Sequence, residues 1–237
     1  TIESGELDEA VSPFDVDRCS GQLFLADGGG GVDFEHKSVY QLRVRATDDG
    51  APQLFDTATI TINILDVNEK PSAPAFAFSV AENSDADAFI GTVVGDDVDS
   101  GHTGTLTYTI TGGTNPELFS VASGTGEWAV AADPGTGEAV VLDFEVTPVV
   151  SAEVTVADDG TGRLCANPEN SAPCVLSTTA IVTVTLLPVN EAPVIAAQAR
   201  NVDENSPAGT RVVGGGGLEA SDVDAGDTAT LEFGIDC

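Results

Sequence analysis

Positive charge is nearly absent from this chain: eight Lys and Arg stand against 39 Asp and Glu in 237 residues, a formal net charge of −31. Such a surface cannot displace counterions from phosphate, which excludes nucleic acid as a partner and disfavours an anionic membrane surface. Methionine is missing altogether. With Thr1 first, the sequence reads as processed or as an excerpt of a longer protein. No run of about 18 apolar residues and no basic-then-apolar leader is present, so no direct membrane insertion by this segment is expected. The two histidines, His36 and His102, are isolated, and the four cysteines form no close doublets, which argues against zinc and copper. No Asn-x-Ser/Thr sequon occurs, and aromatics are only 5%, few for a sugar-stacking surface. No nucleophile, base and orienting group stand out together, so the chain does not read as an enzyme.

What the sequence does have is an acidic phrase used twice. Asp33-Phe34-Glu35 followed by Asp48-Asp49-Gly50 returns as Asp143-Phe144-Glu145 followed by Asp158-Asp159-Gly160, both parts 110 positions on. Carboxylates at a fixed phase mark a repeated domain with a placed acidic site, unlike acidity scattered for solubility.

The periodicity is β throughout. Tyr40, Leu42, Val44 and Ala46 alternate with polar residues, as do Ile60, Ile62 and Ile64; Val154 and Val156, then Val182, Val184 and Leu186, answer in the second copy. No 3.6-residue stripe bounded by caps competes. Short strands joined by Gly, Pro and Asp turns predict an all-β chain of tandem Greek-key, immunoglobulin-like β-sandwiches in a linear array.

Leu65 and Leu187, Asn68 and Asn190, and Glu82 and Glu204 are each 122 apart, so the second copy gained 12 residues between Asp158 and Val182. That insertion holds Cys165 and Cys174, which read as a local disulfide, with two buried free thiols as the alternative. A disulfide implies an oxidising compartment. Cys19 and Cys237 are left to pair with each other, with further chain or with a neighbouring molecule. Thr1-Ile2 and Leu231–Ile235 both match the strand around Leu106–Ile110. The expected division is 1–70 as the C-terminal part of one repeat, 71–192 as a complete repeat, and 193–237 as the N-terminal part of a third.

These motifs resemble cadherin repeats. The acidic base is Ala81-Glu82-Asn83 and Asp203-Glu204-Asn205; the Asp-x-Asp motif is Asp97-Val98-Asp99 and Asp222-Val223-Asp224; the third motif is Asp33-Phe34-Glu35 and Asp143-Phe144-Glu145. The linkers are Asp66-Val67-Asn68-Glu69-Lys70-Pro71 and Pro188-Val189-Asn190-Glu191-Ala192-Pro193. In order and in two registers, the motifs cover essentially the whole chain. Departures from the family pattern are Phe for Arg in both third motifs, Glu69 and Glu191 for Asp, Lys70 and Ala192 for Asn, and Pro188 for the linker's first Asp.

The resemblance implies calcium, three ions per linker, and the Asp, Glu and Asn inventory suits an ion that takes roughly six to eight oxygens in tolerant geometry. For the first linker it names Asp33, Glu35, Asn68, Glu69, Asp97, Asp99 and Asp158, in the linker that opens at Asp66, with Val67 and Lys70 offering carbonyls. For the second it names Glu82, Asp143, Glu145, Asn190, Glu191, Asp222 and Asp224, with Val189 and Ala192 as carbonyl donors. Asp48 would serve a linker upstream, and Glu204 is the base of the third repeat. Pro188 removes a carboxylate, so the second linker should hold calcium less tightly. The implied function is a calcium-rigidified stalk in cell adhesion or surface architecture, at the cell surface or outside the cell. Its partners would be calcium ions and other such repeats, in the same protein or in neighbouring copies. A disulfide-crosslinked extracellular filament and, more weakly, a carbohydrate-binding accessory sandwich are the alternatives. Trp128 aligns with Leu23 and reads as core.

Overall fold

The computed structural model describes residues 12–26, 31–99, 105–160, 174–212, 217–224 and 231–235. Strands β1 (Phe14–Val16), β2 (Leu23–Leu25), β3 (Val39–Thr47) and β4 (Phe55–Asn63) come first. They are followed by β5 (Phe76–Ala81), β6 (Phe89–Thr92) and β7 (Thr107–Gly113), then a 3-10 turn at Pro116–Leu118. β8 (Phe119–Val121), β9 (Glu127–Val130), β10 (Val149–Ala157), β11 (Ser177–Leu187), β12 (Val194–Ile195) and β13 (Ala220–Ser221) complete the series. No helix among the described residues is long and apolar enough to cross a membrane.

The middle part of the chain forms two sheets, one ordered β5-β11-β10-β7 and the other β6-β9-β8. β5 runs parallel to β11, pairing Phe76 with Val182 through Ala81 with Leu187, a pairing that needs a long connection and cannot be a hairpin. The alternation in the sequence is the alternation of burial: Val150, Ala152, Val154 and Val156 of β10, and Ala180, Val182, Val184 and Leu186 of β11, are all buried. Trp128 is fully buried on β9 and leans on Phe119 with ring centroids 5.8 Å apart, as its core assignment requires. Gly91 on β6 lies against Phe78, where a Cβ would come within 2.4 Å of the ring; no side chain fits there.

The first 70 residues supply two antiparallel pairs, β1 with β2 and β3 with β4. Phe14, Tyr40 and Leu42 form a small core, with Phe14 and Tyr40 edge to face at 5.1 Å, and Leu23, Val32, Val44, Ile62 and Ile64 packed around it. Here the expectation for β4 needs correcting. Ile60 is exposed, whereas Ile62 on the same face of β4 packs against the small core. Leu231–Ile235 is likewise not a strand, since nothing among the described residues supplies a ladder partner for it. Thr1-Ile2 lies outside the described residues.

By internal contacts the chain divides into two compact units, 1–74 with 94–109 and 155–179, and 75–93 with 110–154 and 180–237. The division falls across β7, β10 and β11, and each unit contains one of the two acidic junctions.

Candidate metal centres

The first junction lies in the first unit. Its carboxylates come from the turn after β2, the segment after β4, and the loop after β6. Asp33 caps its own turn: Oδ1 accepts from His36 N at 3.0 Å and the backbone carbonyl accepts from Lys37 N at 2.9 Å. This turn carries Glu35 outward. The loop after β6 is fixed by a backbone bridge, Ser72 N to Asp96 O at 2.7 Å and Asp96 N to Ser72 O at 2.8 Å. Immediately beyond it Asp99 N donates to Asp97 Oδ1 at 2.9 Å, and Asp99 Oδ2 accepts from Glu69 N at 2.9 Å. Glu35, Asp66 and Asp99 then bring one carboxylate oxygen each to within 4.8 Å of the others.

The second junction, in the second unit, repeats this wiring. Asp143 Oδ1 accepts from Val146 N at 2.9 Å, as Asp33 does from His36. Asp224 N donates to Asp222 Oδ1 at 3.1 Å, and Asp224 Oδ2 accepts from Glu191 N at 2.8 Å. The cluster within 4.8 Å is Glu82, Glu145 and Asp224. Glu82 is only 2% exposed, and its two oxygens accept from Phe144 N at 2.8 Å and Val189 N at 2.7 Å, so one carboxylate ties the third motif to the linker. The next residue, Asn83, has φ +56°, as its counterpart Asn205 has φ +61°. Asparagine tolerates this left-handed geometry better than most residues, which accounts for Glu-Asn at both bases. Asn83 Nδ2 also reaches Glu191 Oε1 at 2.7 Å, a contact the motifs did not announce.

Asn68 and Asn190 differ. Asn68 is buried, 3% exposed, and its Nδ2 donates to Asp158 Oδ2 at 3.0 Å and to the Cys174 carbonyl at 2.7 Å. Asn190 is exposed and donates to Glu191 O at 3.1 Å. Asp158 is buried, and Leu176 N lies 3.1 Å from each of its oxygens. The roles of Cys174 and Leu176 were not readable beforehand, since both act through backbone atoms.

Val67 is half-buried, while Lys70, Val189 and Ala192 are exposed. Asp48 stands apart from both clusters and closes the loop between β3 and β4, accepting from Gly50 N at 3.0 Å and Leu54 N at 2.9 Å. Glu204 is exposed and belongs to neither cluster. Cys19 and Cys174 are free thiols; Cys165, Cys237 and His102 lie outside the described residues.

Crowded carboxylates lift one another's proton affinity. The Glu69 carboxyl is held above its ordinary value by loss of water and then by the charges of Glu35, Asp99, Asp33 and Asp66. Glu145 is raised in the same way, first by desolvation and then by Glu82, Asp224 and Glu191, against a lowering by a backbone hydrogen bond. The residues present fit a hard cation. Two oxygens bound to one calcium at about 2.4 Å lie at most about 4.8 Å apart, the spacing within each cluster. Asn68 Oδ1, buried and accepting no hydrogen bond, is an oxygen of the kind such an ion takes.

No protein-family model matches the chain. It is 32% identical over 228 residues to Protocadherin Fat 4 of Mus musculus, covering 94% of this chain and 4% of that protein. To Protocadherin-23 of Homo sapiens it is 31% identical over 209 residues, covering 86% of this chain and 6% of that protein. The chain thus spans only a small part of the curated relatives it matches. Among solved structures, mouse Protocadherin-24 EC1-3 superposes with a TM-score of 0.65 at 20% identity, covering 93% of this chain and 66% of that one. Mouse Cadherin-23 EC22-24 superposes with a TM-score of 0.59 at 24% identity, covering 88% and 60%.

Proposed function

Because this chain consists of cadherin-like repeats, we propose that it is a calcium-rigidified segment of a long extracellular tandem-repeat protein, serving as a structural stalk in cell adhesion or cell-surface architecture. Its repeats divide at the linkers, 1–70, 71–192 and 193–237, and each linker with the motifs on either side of it forms one calcium junction. The observation that carries this reading is the duplicated wiring: Glu69 N to Asp99 and Asp99 N to Asp97 recur as Glu191 N to Asp224 and Asp224 N to Asp222. Solubility alone gives no reason to build the same acidic frame twice.

Glu35, Asp66, Asn68, Glu69, Asp97, Asp99 and Asp158, with Asp33, would hold the ions of the first junction. Glu82, Glu145, Asp143, Asn190, Glu191, Asp222 and Asp224 would hold those of the second, and Val67, Lys70, Val189 and Ala192 would add backbone carbonyls. Bound calcium supplies positive charge and a shell of roughly six to eight oxygens drawn from several segments. In its absence the carboxylates repel one another and favour separation of the segments that carry them. Backbone donors at Glu69, Phe144, Val189 and Glu191 already orient these carboxylates, so binding requires little rearrangement of side chains. Extracellular modules bind calcium with a Kd of about 0.1 to 1 mM, so occupancy would track the ambient level.

The test compares hydrodynamic radius and Tm in millimolar calcium and in chelator. The reading expects a stiffer particle and a higher Tm with calcium, since a ligand of the folded state stabilises it; no change in either overturns it. The free, exposed thiol of Cys19 favours a second reading, a filament crosslinked between copies. Non-reducing mass spectrometry decides that point, because purely intramolecular disulfides would eliminate the crosslink.

A further inference from the structure

The carboxamide of Asn68 uses both of its N–H bonds on one side, toward Asp158 Oδ2 at 3.0 Å and the Cys174 carbonyl at 2.7 Å. A carboxamide is planar, so these two bonds also fix the direction of Oδ1, which is buried and accepts no hydrogen bond. The Cys174 carbonyl is itself held. Gly160, at φ +60°, lies so close that a Cβ would come within 2.5 Å of the Cys174 carbonyl carbon and 2.6 Å of Val175 N. Two residues on, Leu176 N lies 3.1 Å from both oxygens of Asp158, and Asp158 N donates to Leu176 O at 3.1 Å.

The first copy has the same frame with one substitution. Leu54, 122 positions before Leu176, donates to Asp48 Oδ1 at 2.9 Å, and Asp48 N donates to Leu54 O at 3.0 Å. At the position of Cys174 it has Pro52, whose ring fixes the backbone by itself. Cys174 has no ring. It lies within the longer span between Asp158 and β11, and its thiol is half-buried and free.

We propose that Cys174 is a positioning residue of the first junction: its backbone carbonyl orients Asn68 as a metal ligand, so that metal binding there and exposure of the Cys174 thiol are thermodynamically linked. This rests on the calcium reading above. Linkage is reciprocal, so calcium that uses Asn68 holds Cys174 in place, and whatever displaces Cys174 weakens calcium at this junction. At the second junction Asn190 bonds the carbonyl of its own neighbour Glu191 instead.

The test is alkylation of the reduced full chain with iodoacetamide, followed at the Cys174 peptide by mass spectrometry in calcium and in chelator. Calcium is expected to slow the reaction at Cys174 at least about fivefold, with the midpoint of first-junction binding. Asn68→Asp removes both N–H donors, and there calcium should no longer protect Cys174. Gly160→Ala, which must push the Cys174 carbonyl aside, should weaken the first junction roughly tenfold and leave the second unchanged. Equal alkylation rates with and without calcium, in a protein whose Tm still rises with calcium, overturn the positioning role alone. Absence of that rise in Tm overturns the calcium reading beneath it. Should Gly160→Ala fail to fold, the labelling comparison on the unsubstituted chain still decides.

Discussion

The two junctions share a frame and differ in what completes it. In the first, Asp66 joins Glu35 and Asp99, and Asn68 is buried against Asp158 and Cys174. In the second, Pro188 stands in place of that aspartate, the cluster is Glu82, Glu145 and Asp224, and Asn190 is exposed. Asn190 donates instead to the carbonyl of its neighbour Glu191. A linker motif therefore specifies residue types without specifying how firmly they are held. That depends on side chains and carbonyls far along the chain.

The largest expected effect separates the junctions directly. Asp99 is fully buried and lies in the first cluster, so Asp99→Ala should weaken calcium at that junction roughly 100-fold or more and leave the second intact, read by titration calorimetry. Comparable losses at both would show that they are not independent sites. Next comes Glu82, whose structural work continues without metal. Glu82→Ala abandons Phe144 N and Val189 N, and urea unfolding in chelator should show a loss of about 3 kcal/mol. A variant as stable as the parent in chelator would mean that these contacts contribute nothing to folding.

Pro188→Asp sharpens the comparison from the other side. Restoring the missing carboxylate should tighten the second junction toward the first, by about tenfold, and an unchanged affinity would show that Glu82 already fills the role. The smallest effect is on pH. Raised carboxyl values at Glu69 and Glu145 mean that these two groups bind more protons in the folded state than in the unfolded chain. Their contribution is favourable below the ordinary glutamate value and is lost as pH rises through the raised values. In chelator, Tm should therefore rise slightly on acidification from pH 7 toward 5, opposed by any paired carboxylate elsewhere. In calcium the trend should reverse, because protons compete with the ion for the same oxygens.

Much of the fold was legible because half-buried strands leave a period of two. β10 and β11 alternate in burial as their valines alternate in sequence. On β4 the phase tells less: Ile62 packs on the small core while Ile60, two residues away on the same face, stays exposed. At the site, motif residues such as Glu82 and Asp99 could be picked from spacing, and the Asn83 and Asn205 backbones explain why their motif keeps its form. The carbonyl of Cys174 and the N–H of Leu176 could not be picked, since every residue has a carbonyl and nearly every one an N–H.

The sequence by itself determined the all-β architecture, the duplication, the insertion and the acidic residue types, because local periodicity and motif order are written in the one-dimensional chain. Only the tertiary structure decided which carboxylates share a cluster, that Glu82 clamps two segments, and that Asn68 is buried while Asn190 is not. Those outcomes depend on backbone groups from segments as much as 107 residues apart meeting at one place, and a string of side chains does not record such meetings.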